Sequence, residues 1–428
     1  MLSIAPFRFN VTPPLGHTLL GGLVPPAIAI DDALEGIGYI LLSDEEPIVV
    51  CVLDWAGLMN SAHLEFRTTL AAAARTTSDR VALHCVHQHN APFVCEETRA
   101  LLAQHSELPP VFDPEFLAAC QSRGADAVRE ALRHPQPITH IAHGQAEVQH
   151  VASNRRVDRD EHANVQTMRG SSCVDPALIA LPVGTIDPML QSVAYFSGDQ
   201  KIVSCHYYAT HPMSYYRDGR VSSDFCGLAR KQRQQEEPDC TYLYFTGCAG
   251  NVAAGKYNDG SPNARQKLTQ RMYDAILASE SLLQPEPIQS LEWRRAQVSP
   301  RSRPTPSIDT LGATVGGSDA PRVGQILQAY WSSWQRRTQR DAPLELNCLR
   351  LNGLSLLHLP GELFVEYQLR AQSMRPDHRV AVAAYGDGGP WYIPTVAEYP
   401  AGGYETVVAF SEATIDDQFT QAIEKLLG

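Results

Sequence analysis

Apolar positions along this chain fall into two patterns, short unbroken runs and longer stretches with a helical period. The runs at 47–53 and 81–87 have the pattern of strands buried on both faces. Those at 192–196, 202–208, 241–245 and 379–385 also read as strands. Between them, 61–75, 113–134, 263–283 and 361–374 read as helices. Two of these open on Asp113-Pro114 and Ser261-Pro262, a capping side chain followed by proline in the first turn. Residues 345–351 and 354–359 flank Asn352-Gly353, the strongest hairpin signal in the chain. The expected class is α/β of the mixed α+β kind, with a mixed β-sheet core flanked by helices. Residues 284–321 are rich in proline and arginine and show little periodicity, so they are expected to form a long connection or flap. No fixed-period repeat is visible, which excludes solenoids and arrays. Polar clusters in both halves suggest one catalytic domain across 1–428.

Composition narrows the function classes. The 428 residues hold 35 Lys and Arg against 47 Asp and Glu, a formal charge of −12, with 44% hydrophobic residues. A substantial core is therefore possible. A clustered basic face for nucleic acid is not expected. No stretch reaches the roughly 18 apolar residues of a membrane helix, and the amino terminus lacks the charged and apolar regions of a signal peptide. The expected location is the cytoplasm. Ten cysteines without C-x-x-C spacing fit free thiols in a reducing compartment.

Candidate chemistry begins at His87-Gln88-His89-Asn90-Ala91-Pro92. Side chains two apart on a strand share a face. A strand running through His89 would aim both rings at one point near its carboxyl end, where open α/β sheets place ligands. That arrangement suits a metal site or acid/base work, and two histidines capping a strand fit the spacing equally well. Four more polar clusters follow apolar strands. They are Tyr208-Ala209-Thr210-His211-Pro212-Met213 with Ser222-Ser223-Asp224, then Gly247-Cys248-Ala249-Gly250-Asn251-Val252, then Leu359-Pro360-Gly361-Glu362, and last Trp391-Tyr392 with Tyr404. Singly, each fits a turn or a satisfied core residue. Their number at strand ends favours a shared site.

In this order the motifs resemble the amino-terminal catalytic domain of the neutral/alkaline ceramidase family. His87-Gln88-His89-Asn90-Ala91-Pro92 stands for its H-x-H-x-x-P. His211-Pro212-Met213 and Ser222-Ser223-Asp224 stand for its second histidine turn and serine-rich Asp loop, and Asn154-Arg155 for its N-R pair. Pro360-Gly361-Glu362 stands for its P-G-E turn. The segment from Trp391 to Tyr399, followed by Tyr404-Glu405, stands for its late tyrosine segment. The resemblance implies one zinc ion per chain, held by His87, His211, Glu362 and Tyr392. It implies His89 as proton shuttle, Arg155 and Tyr404 steadying the substrate or its oxyanion, and Asn251 and Asp224 on the substrate side. The implied activity is hydrolysis of a C–N amide of an N-acyl compound by zinc-activated water. One departure stands out. The family's G-D-V-S-P loop is Gly250-Asn251-Val252-Ala253-Ala254 here, so no serine contact carries over. The chain is also expected to lack the family's carboxyl-terminal β-domain. The expected partner is therefore an N-acyl substrate smaller or more soluble than ceramide, though still lipid-like or a small molecule.

Other readings compete. The same zinc site could cleave an ester or glycoside-type bond, or the chain could be a silent binding homologue. Gly250 to Lys256 matches G-x-x-x-x-G-K, but Tyr257 replaces the Ser/Thr of a P-loop. Cys248 beside a glycine turn reads as a small core residue before it reads as a nucleophile. A (β/α)8 amidohydrolase using Asp224 would place H-x-H on its first strand, whereas here a strand precedes it.

Overall fold

The apolar runs Ile48–Leu53, Gln200–Tyr208 and Leu354–His358 occupy equivalent places in three sheets of the computed structural model, which describes residues 2–215, 217–315 and 319–428. Each run is the second arm of a hairpin. Glu35–Leu42, Met189–Ser197 and Leu344–Leu351 are the antiparallel first arms. Each run is also paired in parallel with the next strand of its unit, Val81–Cys85, Thr241–Thr246 or Arg379–Ala383. A parallel pair needs a crossover long enough to return the chain to the same end. The helices Asn60–Ala74, Asp224–Glu236 and Val365–Met374 lie in those crossovers. Ser3–Asn10, His140–Glu147 and Leu291–Val298 pair with the far side of each hairpin. A further helix, Pro114–Ala131, Pro262–Glu280 or Ile415–Leu427, then packs on that strand.

The architecture thus repeats one arrangement three times, strand, hairpin, helix, parallel strand, helix. The shared features are pairing direction and element order, which tolerate different side chains, so no sequence period accompanies them. One face of each sheet meets the others in a common core that includes Tyr39, Val50, Val193, Tyr195, Leu349 and Leu356. The Tyr39 and Tyr195 hydroxyls, 3.1 Å apart, link the first two sheets.

The ends of the three parallel strands meet in a ring. Cys85 N donates to Tyr385 O at 2.9 Å, Ala384 N donates to Thr246 O at 2.9 Å, and Thr246 Oγ1 donates to Val86 O at 2.7 Å. The carboxyl ends of all three parallel pairs therefore open on one place.

Most predicted elements are present, with three corrections. The strand at 81–87 ends at Cys85, and His87 has a φ of 77°. The two histidines are thus not on one strand face. The predicted helix at 361–374 begins at Val365, because Glu362–Leu363 pairs in parallel with Tyr392–Ile393. The expected flap at 284–321 contains the strands Gln284–Pro287 and Leu291–Val298 and the helix Ile308–Val315; residues 316–318 within it lie outside the described residues. Ala320–Gln339, a helix starting at its end, was not anticipated. Neighbouring sheets supplied the order that local periodicity did not show. Among the described residues no helix is long and apolar enough to cross a membrane. All ten cysteines are free thiols, as expected.

Candidate metal centre

The turn after Val81–Cys85 carries His87 and His89. His87 N donates to Trp55 O at 2.8 Å, and the Gln88 amide reaches the carbonyl of Asp54, so the turn is pinned to the end of the neighbouring strand. Asp54 is itself held by Arg230 of the second unit at 3.0 Å. His211 lies beyond Gln200–Tyr208, its N–H donating to Val252 O at 3.0 Å. Glu362 and Tyr392 are direct partners in the short parallel ladder, which places their side chains on one face. Arg155 follows Ser153–Asn154, paired with Val252–Ala253, and its N–H donates to Asn251 O at 2.9 Å.

These elements bring seven of the nine expected residues together. The ring centroids of His87 and His89 are 5.0 Å apart, and those of His87 and His211 are 4.9 Å apart. Ligand-capable atoms of the three histidines all lie within 4.8 Å of one another. Glu362 Oε2 lies 3.2 Å from His87 Nε2 and 3.3 Å from His211 Nε2. The Tyr392 ring is stacked along His211 with centroids 6.3 Å apart, and its hydroxyl is 3.4 Å from that of Tyr404. The Arg155 guanidinium lies 6.0 Å and 5.4 Å from those two tyrosine rings. Its Nη2 is 2.7 Å and 3.0 Å from the His211 ring nitrogens.

The donor set suits a metal ion in one specific respect. His87 Nδ1 is 2.6 Å from Ala56 O, and His211 Nδ1 is 2.7 Å from Ala249 O. A carbonyl only accepts, so His87 Nδ1 carries the hydrogen and its Nε2 presents a lone pair, whereas His211 Nδ1 faces both the Ala249 carbonyl and the Arg155 Nη2 donor. For His87 that is the tautomer of a ligating histidine. His87 Nε2 and Glu362 Oε2 are buried without an aligned hydrogen bond, which a shared cation would explain. A mixed nitrogen and oxygen set without thiolate is typical of a catalytic rather than a structural zinc site.

Burial sets the charges. Desolvation, then Arg155, pulls the His211 pKa down to about 3. Desolvation, then His87 and His211, holds His89 well below the usual histidine range, so it is neutral near pH 7. Burial pushes the Glu362 carboxyl up, while the adjacent His87 and His211 pull it down, and the net direction is downward. Burial, reinforced by Glu362, pushes the Tyr392 phenol well up. A bound dication would counter that shift. Among the described residues Arg155 has no carboxylate within ion-pair distance, whereas its neighbour Arg156 takes both Glu398 and Glu405, at 2.7 and 3.0 Å.

The remaining two residues are placed differently. Asn251 uses its side chain on Val365 N at 2.9 Å and Glu366 at 3.0 Å, fixing the start of a helix. Asp224 accepts from Ser214 N at 3.0 Å and lies 3.7 Å from Arg265. Lys256, the lysine of the P-loop-like motif, is spent on the carbonyls of Ile179 and Leu181. Burial pushes the Cys248 thiol far up. Sequence reasoning missed Tyr385, whose ring lies 4.4 Å from that of His87. The available signal was its place at the end of an apolar strand before Gly386-Asp387-Gly388-Gly389.

No family model matches the chain, and no curated protein matches it. Solved structures do match it, two ceramidases among them. One is neutral ceramidase from Pseudomonas aeruginosa, with a TM-score of 0.74, 15% identity, and coverage of 100% of this chain and 74% of that one. The other is a ceramidase complexed with C2, with a TM-score of 0.71, 14% identity and the same coverage. At this identity the likeness establishes a ceramidase-like fold.

Proposed function

We propose that this chain, which shares the ceramidase fold, is a zinc-dependent hydrolase of a C–N amide in an N-acyl substrate. The observation that carries the reading is the convergence of the Nε2 atoms of His87 and His211 on the Glu362 carboxylate, at 3.2 and 3.3 Å. His87, His211, Glu362 and Tyr392 would hold the ion. When bound, it would lower the pKa of a water toward about 7 and polarise the substrate carbonyl.

The chain's own groups supply the rest. His89 is the least buried of the three histidines, and its ring nitrogens are enclosed with those of His87 and His211. Neutral at pH 7, His89 would accept a proton from the attacking water and return it to the leaving amine. Arg155 brings a buried, permanently charged donor beside Tyr392 and Tyr404, suited to a developing oxyanion. We treat residues 1–428 as one catalytic unit, because the proposed ligands come from all three sheets.

Elemental mass spectrometry tests the metal. About one zinc per chain is expected in wild type and a large loss in His87→Ala. Retention of stoichiometric zinc by a His211→Ala/Glu362→Ala double variant would overturn the site. A panel of N-acyl amides of increasing chain length, with matched esters, then tests the bond. Turnover of esters alone would transfer the assignment to an esterase.

A further inference from the structure

We infer that Tyr385 is a positioning residue whose ring holds His87 in its ligating orientation, an assignment that rests on the proposed metal site. The pairing registers Leu53 with Cys85 and His358 with Ala383 make the two strand ends equivalent. His87 and Tyr385 each lie two residues beyond, in the first and third units. Both have left-handed backbone, with φ of 77° and 58°. Glycine is the residue that suits such a backbone. A bulky, β-unbranched aromatic kept there points to work done by the side chain.

That side chain stacks on His87 with centroids 4.4 Å apart and planes 24° from parallel. The His87 ring is thereby held on its face by Tyr385 and at its Nδ1 edge by Ala56 O. The Tyr385 hydroxyl is 3.4 Å from His211 Nδ1. Its backbone accepts from Cys85 N at 2.9 Å and donates to Gly361 O at 3.1 Å. One residue therefore touches the strand end that leads to His87, the ring of His211, and the turn that carries Glu362. Groups that orient ligands in this way typically contribute 10- to 100-fold to metal affinity.

The test uses the full chain as wild type, Tyr385→Phe, Tyr385→Leu and Tyr385→Met. Zinc affinity is measured by chelator competition, the cobalt(II)-loaded visible spectrum reports ligand geometry, and melting of the metal-free protein reports folding. The non-aromatic variants are expected to bind zinc about 10- to 100-fold more weakly with altered cobalt bands. Tyr385→Phe, which keeps the stack, is expected to recover most of the affinity and the wild-type bands. Wild-type affinity and spectrum in a folded Leu or Met variant would overturn the inference even if melting falls. A Phe variant as weak as Leu would also overturn it. Wild type that takes up neither metal would overturn the metal site itself, a result distinct from either.

Discussion

A neutral imidazole has one donor and one acceptor nitrogen, so the carbonyl of Ala56 determines which way His87 presents its lone pair. Arg155 is the complementary case, a buried cation lying beside the rings of Tyr392 and Tyr404. On the proposed mechanism its planar fork, not its charge alone, faces the oxyanion. Arg155→Lys is therefore expected to lower kcat on an N-acyl substrate by about 10²-fold with zinc content unchanged. Steady-state kinetics beside elemental analysis checks both; a rise in KM with kcat unchanged would assign Arg155 to ground-state binding.

At the scale of elements, the loop after Thr241–Thr246 is pressed against the Glu362 turn. Gly250 N donates to Leu363 O at 2.7 Å. A Cβ at Gly250 would meet Glu362 O at 2.4 Å and Leu363 O at 2.9 Å. Backbone on both sides leaves no flexible side chain to give way. Gly250→Ala is expected to destabilise the fold by about 1–3 kcal/mol and to lower zinc occupancy. Urea unfolding and metal analysis on the same preparation check it, and a variant with wild-type zinc content would uncouple the two loops. Helix starts behave more simply. The Asp113 and Ser261 side chains accept from Glu115 N at 2.9 Å and Ala264 N at 3.1 Å. They are local devices and are readable from local sequence.

For the whole molecule, several histidines are buried neutral in the core. Burial is the main cause that pulls His63 and His206 down to about 4 and His84 down to about 3. In the unfolded chain each titrates near 6.5. Between that value and the folded one the unfolded state binds more protons, so stability is lost as pH falls. Each such histidine contributes up to about 1.4 kcal/mol per pH unit. Buried Asp54 and Glu405, whose pKa values are raised by desolvation, oppose this in direction. The urea midpoint of metal-free protein is expected to fall from pH 7 to pH 5; a flat profile would mean these histidines are not buried neutral.

Local pattern determined the strands, most helices, the Asn352-Gly353 hairpin and the chemical types at the strand ends, because burial on both faces and helix capping leave marks within a few residues. The collinear motifs placed seven site residues that do converge. Tertiary structure alone decided how they converge. The turn at His87, not a continued strand, brings its ring to His89, and the ladder from Glu362 to Tyr392 replaces a predicted helical turn. It decided the order within 284–321, the threefold arrangement and the role open to Tyr385. The ring of bonds joining Val86, Thr246 and Tyr385 spans partners 138 to 300 residues apart in sequence. Hydrogen bonds over such separations depend on where whole sheets pack, and no local period records that.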